Sequence, residues 1–384
     1  MPPVPAYIIA ARRTAVGRIG GLHKSRRLEE LCAPLIAAAL HDSALEPEQI
    51  DEIILGNASQ GGNPARLIAL AAGLPDTVSA TTIDRQCGSG LDAILSAIRR
   101  VALGDAEAIL AGGAETVSTA PWRISKPRSL YQLPHFMGFD HGPTEEREGT
   151  PLIESSEALS TRLGISRAQQ DAYALRTHLK AEAARAGRRF VGEIVPMRAN
   201  AEEARDQSAI EPDFKDLAQL APYLAPDGTL TPGNTSAMHD GAAIAVVVSE
   251  RLWNALGKPR ALRLIAHAAR GVPPEEEATA PIAAMTKLKE RLNGAKSADI
   301  GVIEMSESSA AQAIALLQSL ELDEDILNPD GGAIARGHPY GAAGAVLVAR
   351  LFTRMARSDD KAKLGVATLG VLGGMGLAAL FEAV

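Results

Sequence analysis

Residues 83–94 have the sequence IDRQCGSGLDAI, and this stretch decides the fold class of the chain. An apolar lead-in ends just before Cys87, Gly88 and Gly90 permit a sharp turn, and apolar residues at helical spacing follow at once. The stretch therefore predicts a strand, a turn and a helix, with the sulfur atom of Cys87 at the helix N-terminus. Unpaired backbone N–H groups and the positive end of the helix dipole favour the thiolate form at such a place.

Cys87 has two interpretations at this point. A thiolate at a helix N-terminus is a ready nucleophile, and the backbone amide of the same residue could help to bind an oxyanion. A cysteine at a strand–helix junction can equally be structural, because free cysteine is among the most buried residue types. The rest of the chain has to decide between them.

Composition limits the class of protein. The chain has 384 residues, of which 46% are hydrophobic, so it can bury a large core in two or three structural units. The net charge of −7 and the absence of a long basic block argue against nucleic acid as a partner. The two cysteines favour a reducing cytoplasm and give no support to a disulfide framework or a metal site. The first residues lack a signal-peptide layout and no apolar run is long enough to span a membrane, so we expect a cytoplasmic protein without a membrane segment.

Short apolar strands alternate with helical segments in two parts of the chain, which predicts an α/β fold. One strand is predicted over residues 107–111, closed by Gly112 and Gly113. We expect a first half in residues 1–117 and 240–260, an inserted loop domain in 118–239, and a second half in 261–384. Residues 328–344 echo the Cys87 turn, and two similar halves would bring their turns together at one site. The alternative is coincidence between ordinary α/β segments.

The echo of the Cys87 turn contains a histidine. His338 lies in a glycine-rich turn ahead of an apolar helical segment, and Pro339 limits the directions in which the imidazole can point. Such a histidine can accept the thiol proton and later donate a hydrogen bond to an acyl oxygen. A lone histidine in a turn is often structural, but its pairing with Cys87 on the matching turn favours catalysis.

The chain resembles the thiolases, a family of coenzyme-A-dependent acyltransferases, over nearly its whole length. The resemblance rests on short motifs in conserved order and spacing: RTAVG at 13–17, NPAR at 63–66, CGSGL at 87–91, AGGAE at 111–115, GNTS at 233–236, DGAA at 240–243, GAIA at 332–335, GHP at 337–339 and GGMG at 373–376. It implies two duplicated α/β halves in five layers, α-β-α-β-α, with an inserted loop domain. It also implies a homodimer or homotetramer, an acyl-CoA substrate, and no permanently bound cofactor or metal.

The resemblance assigns roles to individual residues of this chain. Cys87 would carry the acyl group as a thioester, and His338 would activate its thiol. The backbone N–H groups of Cys87 and Leu372 would form an oxyanion site. Ser306 would stand in a second oxyanion site, at a position where the family has an asparagine that holds a water molecule. Substrate contacts are expected from the following residues: Pro232, Ser236, Ser308 and Ser309.

Two positions depart from the family pattern. Thiolases usually carry a second cysteine shortly before the last glycine run, where it moves a proton, and this chain has Gly370 there. Cys32 is expected to lie in a helix core and so does not replace it. Glu307, Ser306 or a bound water are candidates for the missing proton carrier. A His-Met-Gly segment of the family aligns with residues 151–153 of this chain, which are Pro-Leu-Ile.

Three functions fit the sequence. The first is an acyltransferase that forms a thioester on Cys87 and passes the acyl group to CoA or to a carbon nucleophile. The second is a specialised condensing or acyl-transfer enzyme with a different acceptor, which the loss of the second cysteine favours. The third is a thiolase relative that binds acyl-CoA without turnover, and the presence of both Cys87 and His338 argues against it.

Overall fold

The structure is a computed structural model that describes residues 4–127, 129–131, 133–134, 136–137, 152–198, 204–208, 216–292, 299–358 and 362–384. Four predictions fall partly outside these ranges: the first residues of the N-terminus, Pro151 of the altered segment, the inserted loop domain and the second half.

Strands and helices alternate through both ends of the described chain. The strands are β1 (Ala6–Arg13), β2 (Gly17–Arg18), β3 (Glu52–Gly56), β4 (Ser79–Ile83), β5 (Ala108–Glu115), β6 (Arg123–Ile124), β7 (Phe136–Met137), β8 (His239–Ser249), β9 (Leu262–Gly271), β10 (Ile300–Ser306), β11 (Leu364–Val371) and β12 (Met375–Ala383). The helices are α1 (Leu28–Ser43), α2 (Pro64–Ala71), α3 (Ser89–Leu103), α4 (Leu152–Leu163), α5 (Arg167–Ala186), α6 (Glu250–Ala255), α7 (Ala280–Arg291), α8 (Ala310–Leu320), α9 (Ala333–Arg336) and α10 (Ala343–Phe352).

The main sheet contains the same arrangement of strands twice. Its order is β10-β11-β12-β9-β1-β8-β5-β3-β4, so β3, β5, β8 and β1 in one arm correspond to β10, β11, β12 and β9 in the other. Within each arm the first two of these strands are parallel and the next pairs are antiparallel. The two arms meet where β1 pairs with β9. The predicted duplication is therefore visible in the strand order.

The two arms of the sheet enclose α3 and α10. One hydrophobic core joins these two helices to both arms, and two further cores lie on the outer faces, one under α1 and α2 and one under α7 and α8. Successive residues of a strand point to opposite faces, so Ile54 lies in the inner core while Ile53 lies in an outer one. Val302 and Ile303 divide in the same way in the second arm. The layers are thus α-β-α-β-α, as expected.

The first arm differs from the sequence prediction at β5. Gly112 and Gly113 do not close this strand, which continues to Glu115 in register with β8. A Cβ atom at Gly112 would overlap the backbone oxygen of Ala243, so the glycine permits close packing inside the strand and does not form a turn. The predicted limits of the three parts of the chain stay a prediction. The described parts of the insertion contain β6, β7, α4 and α5.

Candidate active site

Cys87 lies in a tight turn between β4 and α3. Ser89 holds this turn, since its hydroxyl donates to the backbone oxygen of Gln86 at 2.6 Å and accepts from the N–H of Arg85 at 2.8 Å. Gln86 has a left-handed φ of 49°, which is costly for a residue other than glycine and places the next residue at the start of the helix. The predicted strand, turn and helix are confirmed, and Cys87 is only 7% exposed.

The surroundings of the Cys87 thiol reverse one expectation. Burial raises the pKa of Cys87 to about 12, and the charges of Glu277 and Glu115 raise it further. The backbone N–H groups of Leu372 and of Cys87 itself lower the pKa, but they do not outweigh burial. The helix N-terminus therefore does not make a standing thiolate, and the thiol needs a base to remove its proton.

His338 has the charge state that a base needs. Its backbone N–H donates to the oxygen of Ala237 at 3.0 Å, and its own backbone oxygen accepts from His239 at 2.9 Å. The imidazole Nδ1 lies 2.8 Å from Oγ of Ser306, at the end of β10. Burial lowers the pKa of His338 to about 4, with a smaller contribution from His239, so the ring is neutral at pH 7. A neutral imidazole can accept a proton.

The turns that carry Cys87 and His338 are in direct contact. The hydroxyl of Tyr340 donates to Oε1 of Gln86, next to the cysteine. The N-terminal ends of α3 and α10 also approach closely, because a Cβ atom at Gly344 would lie 2.6 Å from the Cβ of Leu91. Glycine at this position permits an approach that a larger residue would block. The structure thus brings together the two loops that sequence repetition predicted to meet.

The turn between β11 and β12 forms a third side of the site. Gly373 and Gly374 have φ of 89° and 78°, in the left-handed region that favours glycine. Val371 and Leu377, which flank this turn, pack against Gly88 of the nucleophile loop, and the Leu372 N–H lowers the pKa of the Cys87 thiol. The oxyanion role expected of the Leu372 N–H stays a prediction.

Gly370 lies at the end of β11, paired with Gly376 of β12. A Cβ atom there would be 3.3 Å from Nε2 of Gln312 and 3.6 Å from Pro281. A Cβ atom at this position would thus need a shift of only a few tenths of an ångström in one amide. The position has no side-chain proton of its own.

The Glu307 carboxylate is hydrogen-bonded within the fold. This buried carboxylate accepts hydrogen bonds from the Tyr173 hydroxyl at 2.7 Å, from Nδ2 of Asn328 at 2.6 Å and from the N–H of Ile334 at 3.1 Å. The bonds tie β10 to α5 and α9, so the structure gives Glu307 a structural function. This argues against the proposal that it moves the second proton.

Sequence reasoning missed Glu277. It lies in a short 3-10 segment, Pro274–Thr279, before α7, and it is 4% exposed. Its Oε2 accepts from the backbone N–H of Gly373 at 3.0 Å, so it sits beside the turn that contacts Cys87. The run Glu275-Glu276-Glu277 was a local signal, but nothing in it distinguishes the buried residue from its two exposed neighbours.

The four residues expected to contact substrate differ in burial and in their hydrogen bonds. The Ser236 N–H donates to the Ser308 oxygen at 3.0 Å, and Pro232 is exposed nearby in sequence. Oγ of Ser308 is buried and has no hydrogen-bond partner in the described parts of the chain. Ser309 is buried and its hydroxyl caps α8 by accepting from the Gln312 N–H at 3.2 Å. Substrate binding by these four residues stays a prediction.

A small cavity borders Ser306. Its volume is about 20 Å³ and its lining includes Arg13, Arg336 and Pro339. Most of its lining is apolar, with Val16, Val346 and Leu347 among the lining residues. Nη1 of Arg336, another lining residue, is buried without a partner among the residues that the structure describes.

Two searches of the described residues were negative. No group of three or more His, Cys, Asp or Glu side chains is arranged to hold a metal ion within them. The helices of the described ranges are also too short or too polar to cross a membrane. Cys32 lies fully buried in the core face of α1, as expected.

The fold and the facing cysteine and histidine loops define the class of protein. Residues 6–251 match the family model "Thiolase, N-terminal domain", and residues 258–383 match "Thiolase, C-terminal domain". The chain therefore belongs to the thiolase family of acyltransferases.

Named relatives are similar over nearly the whole chain. A Staphylococcus epidermidis protein with the provisional name acetyl-CoA C-acetyltransferase VraB is 38% identical, with 98% of this chain and 97% of that protein covered. A beta-ketoadipyl-CoA thiolase of Pseudomonas putida is 36% identical, with 98% and 99% covered. The crystal structure of the Bacillus anthracis acetyl-CoA acetyltransferase superposes with a TM-score of 0.92 at 32% identity, covering 100% of this chain and 99% of that one.

Proposed function

We propose that the chain transfers acyl groups from acyl-CoA through a thioester on Cys87 to CoA or to a carbon nucleophile. The observation that supports the proposal is the contact between the loops that carry Cys87 and His338. Burial raises the pKa of the thiol and lowers that of the imidazole, so both groups are uncharged at rest and the thiol proton has to move to a base as the sulfur attacks.

In the first half-reaction, His338 takes the thiol proton while the Cys87 sulfur attacks the carbonyl carbon of acyl-CoA. The electrons of the carbonyl π bond move to the oxygen, and the backbone N–H groups of Cys87 and Leu372 are suited to stabilise that charge. The carbonyl then re-forms, the bond to the CoA sulfur breaks, and His338 gives its proton to the departing CoA thiolate. Cys87 is left acylated and His338 neutral.

Ser306 orients the base in this mechanism. If Nδ1–H of His338 donates to Oγ of Ser306, Nε2 carries no proton and can accept the one from Cys87. Ser306 thereby acts on the tautomer of the imidazole. This replaces the oxyanion function that the resemblance gave to its position.

The second half-reaction requires another proton to move, and Gly370 cannot move it. A specialised condensing or acyl-transfer enzyme, with a different acceptor, is the second candidate function, and Gly370 is the observation that favours it. A relative that only binds acyl-CoA is the third.

The names of the relatives suggest the substrates. We propose acetyl-CoA and longer acyl-CoAs as donors, since one relative is named for acetyl-CoA and another for beta-ketoadipyl-CoA. We further propose a cytoplasmic homodimer or homotetramer that needs no permanently bound cofactor. Its mass in solution, measured by light scattering, tests the oligomeric state.

Incubation with acyl-CoAs of several lengths separates the three functions. An acyl adduct mapped to Cys87, with turnover on addition of CoA, supports the thiolase reaction. An adduct without turnover supports the specialised enzyme. Saturable CoA binding with no adduct from any donor supports the binding protein and contradicts our proposal.

A further inference from the structure

Glu277 lies close to two key positions of the site. Its carboxylate accepts from the Gly373 N–H at 3.0 Å, while the preceding N–H, of Leu372, lowers the pKa of the Cys87 thiol. Consecutive amides of one turn thus act on the carboxylate and on the nucleophile, and the charge of Glu277 itself raises the pKa of that thiol. The residue is 4% exposed, so its charge acts with little screening by water.

Glu277 also adjoins the position where the proton carrier is missing. Nε2 of Gln312 donates to the backbone oxygen of Ala278 at 3.1 Å. The same Nε2 is the nearest atom, at 3.3 Å, to a Cβ placed on Gly370. One amide therefore connects the segment of Glu277 to the site that a cysteine side chain at 370 would occupy.

We propose that Glu277 is the acid–base residue of the second half-reaction and performs the proton transfer for which Gly370 has no side chain. The proposal rests on the proposed function, since it requires an acyl group on Cys87.

The proton balance of the second half-reaction closes through Glu277. Its carboxylate takes the proton of the CoA thiol, or a proton from the α-carbon of a second acyl-CoA, as that atom attacks the acyl carbon. The carbonyl electrons move to the oxygen and return, and the bond to the Cys87 sulfur breaks. Glu277 then gives its proton to the departing cysteine thiolate. The thiol and the carboxylate return to their starting protonation states, and no other reactant is consumed.

The test uses Glu277→Gln, which keeps an oxygen that can accept from the Gly373 N–H but cannot take a proton. Glu275→Gln is the matched control, because Glu275 is exposed in the same segment. Acylation of Cys87 by acetyl-CoA is followed by intact mass, and loss of the adduct is followed after CoA is added. We expect Glu277→Gln to acylate within a few-fold of the unchanged protein and to lose its adduct more slowly by on the order of a hundredfold or more.

Two further readouts distinguish acid–base chemistry from positioning. The pH profile of adduct loss should lack one ionisation in Glu277→Gln and keep it in Glu277→Asp. Adding Gly370→Cys to Glu277→Gln should restore much of the rate, because it returns a side chain that can carry a proton, and its Cβ atom is closer than 3.4 Å only to the Gln312 amide. Restoration of the rate of adduct loss would show that Glu277→Gln is slow because it lacks a proton carrier.

Three results would overturn the proposal. Adduct loss at the unchanged rate would show that Glu277 moves no proton. An equal fall in acylation and adduct loss, without rescue by Gly370→Cys, would show that it only positions the turn. Failure of the unchanged protein to form an adduct on Cys87 would remove the proposed function first and this inference with it.

Discussion

Replacing Ser306 by alanine should slow acylation of Cys87 without abolishing it. The hydroxyl lies 2.8 Å from Nδ1 of His338, and both groups lie in the interior. Leaving one partner of a buried hydrogen bond unsatisfied costs about 1–3 kcal/mol. If that energy appears in the transition state, the rate falls by roughly 5-fold to 160-fold, since about 1.4 kcal/mol is a factor of ten.

The assay is the rate of Cys87 acetylation by acetyl-CoA, measured by quenched flow and intact mass. Ser306→Thr is the matched control, because it keeps a hydroxyl and suits the strand in which residue 306 pairs with Leu369. Thermal melting checks that both variants fold. A Ser306→Ala variant that acylates as fast as the unchanged protein would refute the claim that this hydroxyl sets the tautomer of His338.

Three other measurements test separate parts of the account. Gly337→Ala should lower the melting temperature more than Gly20→Ala does. Both glycines have a positive φ, but a Cβ atom at Gly337 would overlap the ring of His239, whereas one at Gly20 meets open space. Equal decreases in melting temperature would contradict this. Burial raises the pKa of Glu115 from 4.5 to about 7. The free energy of unfolding, compared with that of Glu115→Gln, should therefore decrease by about 3 kcal/mol as the pH rises from 4.5 to 7, as measured by urea titration. A rise over that range would show that the hydrogen bonds outweigh burial. Iodoacetamide should modify Cys87 at a rate that still increases at pH 10, and Cys32 only after unfolding, as read by peptide mapping; a plateau below pH 8 would contradict the raised pKa.

Sequence patterns were sufficient for the parts of the site that depend on local structure. An apolar lead-in, glycines and apolar residues at helical spacing predicted the strand, turn and helix around Cys87, and repetition of that pattern predicted the His338 loop. The place of Gly112 inside β5 could not be predicted from the neighbouring sequence, because the glycine is needed only where the backbone of β8 lies beside it.

The electrostatics of the site depend on residues far apart in the sequence. The sign of the Cys87 pKa shift follows from burial by the whole fold and from two distant carboxylates, so a helix N-terminus alone gave the wrong direction. Glu277 was missed for the same reason. Only the folded chain shows that this glutamate, and not Glu275 or Glu276, is buried beside the Cys87 loop.

The acceleration of Cys87 acylation by the His338 imidazole is measured most directly by comparing the unchanged protein with His338→Ala. Each is mixed with acetyl-CoA, and thioester formation is followed and mapped by mass spectrometry. We predict an acetyl group on Cys87 of the unchanged protein and formation slower by on the order of a hundredfold or more without the imidazole. An adduct on another residue, or one on Cys87 that forms equally fast in His338→Ala, would contradict the account.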